Sequence, residues 1–270
     1  MKLRKMTSAG MMDCKNALIE AEGDFEKAVD IIREKGKLVA AKRADRATTE
    51  GAVVVRINGN KAVIVCLGCE TDFVSATPEF KALANEIADA AIAEYPADLE
   101  ALKTAKCSNG HTVEEEISAQ TGKTGEKHDL AYYASLEAPC ISSYVHFNNK
   151  LGAIVAFNKE VPAELGRGIA MQVTSMNPVS VSEADCPKEI VEKELEMYKQ
   201  QMSEDPKMAG KPAAMLENIA KGKLSKFFKE ATLEDQDFVQ ADGKMTVKEY
   251  IQSVDKEAKV VAFKRFSLTD

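Results

Sequence analysis

Along the first 35 residues, apolar positions return with a helical period. Met11, Cys14, Leu18 and Ala21 fall on one face of a run that Gly23 ends, and Asp24 stands where the N-cap of a further helix belongs. In that helix Phe25, Ala28, Val29 and Ile32 recur until Gly36, while Leu3 and Met6, ahead of Gly10, predict a turn or two of another. Three such helices make a bundle of only about 40 residues, marginal alone, which suits a unit that presents a surface. From Lys37 to Glu50, charged residues alternate with alanines and threonines and no apolar face persists; a linker, part of it helical, is predicted.

Next come β-branched runs. Val53–Ile57 and Ala62–Cys66 are joined through Asn58-Gly59, the dipeptide suited to a type I′ hairpin turn. Pro78 then stands at a first helical turn, with Phe80, Leu83, Ala84, Ile87, Ala88 and Ala91 at helical spacing behind it. A charged, helix-rich stretch leads to a third strand, Leu130–Leu136. The same order returns in Ser143–Phe147, the turn Asn148-Asn149-Lys150, Gly152–Phe157, a helix ending before Pro178, and a late strand Lys259–Phe266. Hairpin, helix and strand thus occur twice, and because each unit needs a helix to cover one sheet face the class is α+β. Residues 187–230 look inserted: Val191, Leu195, Tyr198 and Met202, then Leu216, Ile219, Leu224 and Phe227, predict an antiparallel helical hairpin, with Asp205-Pro206 and Gly210-Lys211-Pro212 between its arms. The expected division is a helical partner-binding domain (1–36), a linker (37–50), a first α+β subdomain (51–138), and a second (139–270) carrying the insert.

Composition narrows the partners. With 270 residues the chain is long enough for two or three units, and 45% apolar with 29% charged residues is ordinary for a globular protein. A net charge of −7 argues against nucleic acid as the main partner, because neutralising many phosphates needs basic excess. No run approaches the roughly 18 apolar residues of a membrane span. The opening Met1–Met6 has a charged flank with no apolar stretch behind it, so no signal peptide is expected. Six cysteines spread over such a chain fit free thiols in a reducing cytosol.

The candidate chemistries fail in turn. Gly122-Lys123-Thr124 resembles the tail of a phosphate-binding loop, but Ile117 stands where that loop needs its first glycine, leaving a glycine-marked turn. Cys66-Leu67-Gly68-Cys69 has redox or zinc spacing, yet no helix start is expected before Pro78 and only Cys107 with His111 could complete a zinc set. The histidines, His111, His128 and His146, pair with no nucleophile motif, and Glu114-Glu115-Glu116 reads as a solvated helix face. No catalytic residue and no metal ligand is assigned; the pattern favours binding. Two features suit a binding surface. Adjacent Met11 and Met12 cannot both face one core, so one is expected outside, where a thioether adapts to a partner. Thr71-Asp72-Phe73-Val74 lies between a strand and a helix. From position and composition its phenylalanine is expected to fold back into the core, with Asp72 capping the turn; presentation to a partner is the alternative.

Taken in order, these residues resemble the bacterial elongation factor Ts family, exchange factors for elongation factor Tu. The matching stretches are Leu3-Arg4, Thr7–Lys15 with its Gly-Met-Met-Asp-Cys, Ala21–Asp24, Thr71–Val74, Gly152, Ile169–Met171, Pro178, Val191–Glu194, Gly210–Pro212, Phe238-Val239, Phe263 and Arg265-Phe266. The resemblance covers essentially the whole chain. It implies a three-helix ubiquitin-associated-like bundle, two related antiparallel-sheet and helix subdomains, and a coiled-coil hairpin inserted in the second. It also implies that Thr71, Asp72, Phe73 and Val74 enter the nucleotide domain of elongation factor Tu and disturb its Mg²⁺ and phosphate site. By the same likeness Arg4, Met11 and Met12 grip another face of that domain, and Thr121, Gly122 and His146 belong to the remaining contact surface. A cytoplasmic protein binding the GDP-bound and nucleotide-free partner is implied, with no cofactor of its own, no membrane and no direct nucleic acid. The chain departs from the family in having few residues before Leu3 and in ending soon after Phe266, so contacts of the helical tail some members carry are not expected.

Overall fold

The structure, a computed structural model, describes every residue except Ser8, Ala209, Gly210, Asp242 and Asp270, and all but the side chains of Lys5 and Lys207. Ser8 and Gly210 of the family-like stretches therefore lie outside the described residues. The chain divides into two compact units: Met1–Glu137 with Ser143–Ile154 and Lys264–Asp270, and Ala138–Ser142 with Val155–Phe263.

The first unit opens with α1 (Lys2–Thr7), α2 (Met11–Glu20) and α3 (Phe25–Lys42). They enclose Leu3, Ala9, Cys14, Ala17, Ala21 and Ala28, a core of small side chains. Asp24 caps α3 as predicted, its carboxylate accepting the Glu26 and Lys27 amides at 3.0 and 3.1 Å, a cap contributing about 1 kcal/mol. Gly36 does not end this helix. A Cβ there would come within 2.8 Å of the Ser118 carbonyl oxygen, and one at Gly122 within 3.0 Å of the Gly36 Cα. Both glycines are close-packing positions, where the absence of a side chain lets two helix backbones touch.

Next, β1 (Glu50–Asn58) and β2 (Lys61–Cys69) form the predicted hairpin. The turn residues are Gly59 and Asn60, since Asn58 still pairs with Lys61. Gly59 alone has positive φ, 59°, which is the pattern of a type II′ turn and not the type I′ expected from Asn58-Gly59. A one-turn helix α4 (Asp72–Ser75) precedes α5 (Pro78–Glu94), α6 (Leu99–Thr104) and α7 (Val113–Thr124). Gly122 thus lies inside α7, and the turn expected there comes at Gly125, φ 74°. Strand β3 (His128–Glu137) pairs antiparallel with β2, with one extra residue, Ala131, where the register shifts. That bulge turns both Leu130 and Tyr133 toward the core under α5, with Val63, Val65, Leu67, Phe80 and Ile87. The opposite sheet face meets residues of the second sheet: Tyr132 stacks on Phe266 at 4.5 Å, and Lys150 pairs with Glu50 at 2.6 Å.

That second sheet, order β4-β5-β6, comprises β4 (Cys140–Val145), β5 (Leu151–Phe157) and, at the far end of the chain, β6 (Val260–Ser267). Between them the second unit carries α8 (Ala163–Met176), whose Leu165, Ile169 and Val173 are buried, then α9 (Lys188–Glu204), α10 (Ala213–Ala231) and the short α11 (Val247–Val254). Gln172 is fully buried, donating to Gln236 Oε1 and the Asp237 carbonyl at 3.1 Å and accepting the Val239 amide at 3.1 Å. Every hydrogen-bonding position of that amide is used except one lone pair, which is what burying it requires. α9 and α10 lie against one another: Lys223 of α10 bonds Gln201 of α9 at 3.1 Å and lies over the Tyr198 ring. The fold is α+β, helices first and two small sheets after.

Candidate functional site

The turn after β2 is the most completely specified part of the surface. Thr71 is extended, φ −127°, and begins α4 by accepting the Val74 amide on its hydroxyl. The same hydroxyl donates to Glu126 Oε1 at 2.7 Å, and the Thr71 amide donates to Glu126 Oε2 at 3.1 Å. One residue earlier, the Glu70 carboxylate accepts Arg43 Nη1 at 2.8 and 3.0 Å and the Lys127 amide at 2.6 Å. The Lys127 amide first, then the Arg43 guanidinium, hold the Glu70 carboxyl below the usual carboxylate range. On the far side, Thr77 accepts the Phe80 amide to start α5 and donates to the Val74 carbonyl at 2.7 Å. Val74 packs on the core under α5, while Asp72 is exposed and Phe73 is 84% exposed. The packing expected from position and composition is overturned: Phe73 is presented, and the cap is Thr71, with Asp72 the first helical residue.

Behind the turn, His128 lies under the Phe80 ring, centroids 5.7 Å apart, and is 5% exposed. Its Nδ1–H donates to the Glu126 carbonyl at 3.0 Å and its backbone amide to the Thr121 hydroxyl at 3.3 Å. Burial holds its pKa below the ordinary 6.5, so the ring is neutral.

The remaining candidates fall in two groups. Arg4, Met11 and Met12 are all exposed, the methionines at 65% and 63%. Both methionines face outward, against the expectation that one would; the core face of α2 is Cys14, Ala17 and Ala21. His146 is half-buried just past β4, sharing a hydrogen bond with the Tyr144 hydroxyl at 3.2 Å, and the next residue, Phe147, is 86% exposed. Thr121 and Gly122 differ. Thr121 is 1% exposed and bonded to His128, so it faces inward, whereas Gly122 is exposed, with the Gly36 backbone close beside it. Next to that contact Arg33 donates to His111 Nε2 at 2.9 Å, and His111 Nδ1–H to Glu116 at 2.7 Å, a second tie between α3 and α7.

Cys66 and Cys69 are not arranged as a redox pair. Cys69 shares a sheet face with Leu67 and Val65, and Cys66 points to the other face, so the pair cannot close a disulfide along one strand. Burial pushes Cys66, Cys69 and Cys107 up to about 12, leaving unreactive thiols. Among the described residues no three His, Cys, Asp or Glu side chains are placed to hold a metal ion. Nor is any described helix long and apolar enough to cross a membrane. Sequence reasoning missed Glu126, Glu70 and Arg43. Glu126 lies 55 residues from Thr71, and no spacing signals such a contact.

Fold and turn together define a scaffold that holds an aromatic side chain out from a braced one-turn helix. The family described as Elongation factor TS matches residues 70–270. Relatives named Elongation factor Ts span 99% of this chain and 96% of their own length: 43% identical from Christiangramia forsetii, 44% from Porphyromonas gingivalis and 40% from Bacteroides fragilis. The chain belongs to the elongation factor Ts family.

Proposed function

We propose that this chain binds elongation factor Tu, with GDP bound and without nucleotide, and promotes release of GDP and its exchange for GTP in the cytoplasm. Phe73, with Asp72 beside it, enters the partner's nucleotide domain and disturbs the Mg²⁺ and phosphate site. Arg4, Met11 and Met12 supply a second contact and His146 a third. The observation that carries this reading is the 84% exposure of Phe73 on a turn whose backbone is fixed at both ends. A large apolar side chain held in water in this way suits a partner that buries it.

The physics is linkage, with no covalent step. A factor that binds the nucleotide-free partner more tightly than the GDP form weakens GDP binding by the same ratio. Loss of Mg²⁺ removes the charge that offsets the phosphates, and a thousandfold faster release needs about 4 kcal/mol off the barrier. The same reading takes residues 1–36, with α1, α2 and the larger part of α3, as a ubiquitin-associated-like domain, 37–50 as its connection, 51–138 and 139–270 as the two subdomains, and α9–α10 as a coiled-coil arm. Stopped-flow release of a fluorescent GDP from elongation factor Tu tests it. Addition of this chain should accelerate release, and the double variant Asp72→Ala, Phe73→Ala should lose most of the effect while keeping its far-UV spectrum. Undiminished acceleration by that variant would sink the wedge.

A further inference from the structure

We infer that Glu126 is a positioning residue for the exchange step: its carboxylate fixes the turn that carries Phe73. The inference rests on the exchange reading above and names what makes that reading work.

A four-residue helix does not hold itself, because one turn fixes several dihedrals for a single hydrogen bond. Phe73 adds nothing, since its ring lies in water and not against the core. Val74 on the core and the Thr77 hydroxyl on its carbonyl hold the exit of the turn, and Thr71 holds its entry. Thr71 gives both its backbone N–H and its hydroxyl to the two oxygens of one carboxylate, at 3.1 and 2.7 Å. That pairing sets the backbone and the side-chain torsion of Thr71 together. It also directs the hydroxyl lone pair toward the Val74 amide that starts α4. Bonds to an ionised acceptor are about twice as strong as neutral ones. Glu126 is itself held: its amide donates to the Thr124 hydroxyl at 3.2 Å, and its carbonyl takes the His128 Nδ1–H. The adjoining Glu70 is clamped by Arg43 and the Lys127 amide, so residues 70–71 and 126–127 form one rigid base. Without Glu126 the presented conformation becomes one among several. A partner that needs it then binds more weakly in proportion to the population lost.

The consequence differs in kind from loss of the wedge. Phe73→Ala lowers the GDP release rate at saturating factor. Glu126→Ala raises the half-saturating concentration about tenfold and leaves the saturating rate nearly intact, as expected when only the competent population falls. Glu126→Gln keeps one acceptor and lies between. Thr71→Ser retains the hydroxyl and the activity, whereas Thr71→Val loses the hydroxyl bond and shifts half-saturation in the direction of Glu126→Ala.

The test is a titration of each variant against elongation factor Tu loaded with fluorescent GDP, with hydrogen exchange of the free chains by mass spectrometry. The inference expects faster exchange in Glu126→Ala confined to peptides over residues 70–77; faster exchange throughout would mark a general loss of structure and overturn it. If the natural chain and Glu126→Ala titrate alike while Phe73→Ala is impaired, the positioning role falls and the exchange reading stands. If the natural chain does not accelerate release, both fall. Should Glu126→Ala fail to fold, Thr71→Val against Thr71→Ser decides, and equal titrations of those two overturn the inference.

Discussion

Phe73 and Phe147 are exposed to nearly the same degree, 84% and 86%, yet the chain around them is built differently. Phe147 sits at the tip between β4 and β5, where Asn149, φ 57°, reverses the chain and returns its amide to the His146 carbonyl at 2.8 Å. Its ring leans on the neighbouring His146 ring at 4.4 Å, a contact between adjacent residues that can move as one. Phe73 lies two residues after Thr71, whose amide and hydroxyl are tied to a carboxylate 55 positions away. The tip is tied as well, but beyond the ring, where the Asn149 carbonyl accepts the Val53 amide at 2.7 Å and the Lys150 carbonyl the Leu268 amide at 2.9 Å. A side chain ordered in advance loses little entropy on docking, and the tie at Thr71 precedes Phe73 where none but the hairpin's own bonds precedes Phe147. Equal exposure therefore does not mean equal fitness to act as a wedge.

The comparison breaks most directly by trimming the ring. Phe73→Ala should lower GDP release at saturating factor about a hundredfold, some 2.7 kcal/mol, the loss of one well-buried aromatic anchor. The same change at Phe147 should leave the saturating rate within about twofold. Equal losses in stopped-flow traces would mean that the support around Phe73 is irrelevant.

A second prediction moves the support instead. Arg43, just beyond the last residue of α3, reaches Glu70, and α3 lies on α7 through Gly36 and Gly122. Gly36→Val places carbons where the Ser118 carbonyl stands. Overpacking costs about 1–3 kcal/mol, more than the fraction of a kcal/mol that better helix propensity returns. Calorimetry should show a melting temperature several degrees lower, and hydrogen exchange should quicken over residues 70–74 but not over 146–150. Gly222→Ala in α10 meets nothing within 4 Å and should instead stabilise by about 1 kcal/mol.

These glycines also show where the sequence was legible and where it was not. Both β-hairpins, the helix from Pro78 and the helices α9 and α10 follow from periods of 2 and 3.6, which packing on one face imposes directly. Gly36 and Gly122 were misread as a stop and a turn because glycine serves equally to end a helix and to let another backbone close in. Only the partner helix distinguishes the two. Gly59 was read as the second turn residue when it is the first, a one-position shift that changes the turn type. At the site, position and composition pointed Phe73 into the core, and the family likeness alone favoured its exposure. Glu126 was invisible, because a long-range hydrogen bond leaves no periodic trace.

A third prediction uses pH to loosen one aromatic and not the other. His128 has its pKa lowered by burial, so as pH falls below about 6.5 the unfolded chain takes up a proton that the folded ring refuses. Stability drops through that window down to the folded value. Glu70, held low, gives up its contribution only on further acidification, below the ordinary carboxylate value of 4.5. Urea unfolding at pH 7.5 and 5.5 should therefore show a less stable chain at the lower pH. His128→Gln, which keeps a donor and cannot titrate, should flatten the difference. An unchanged pH slope in that variant would remove His128 as the acid-sensitive group beneath the Phe73 turn.

The smallest effect belongs to the tip itself. Phe147 buries little and its turn is closed by backbone bonds and by Asn148, whose side chain accepts the Lys150 amide at 3.0 Å. None of these needs the ring, so Phe147→Ala should change folding stability by less than about 0.5 kcal/mol, as surface substitutions generally do. Its consequence should appear only in association. An aromatic beside His146 adds contact area at the rim, and its removal should raise the half-saturating concentration about threefold, a cost under 1 kcal/mol. Restricting the tip is the sharper experiment: if the ring makes the contact, replacing Asn148 by proline should not weaken binding further in the absence of the ring. A large loss of affinity from Asn148→Pro on the Phe147→Ala background would show that the tip backbone, and not the aromatic, makes the contact.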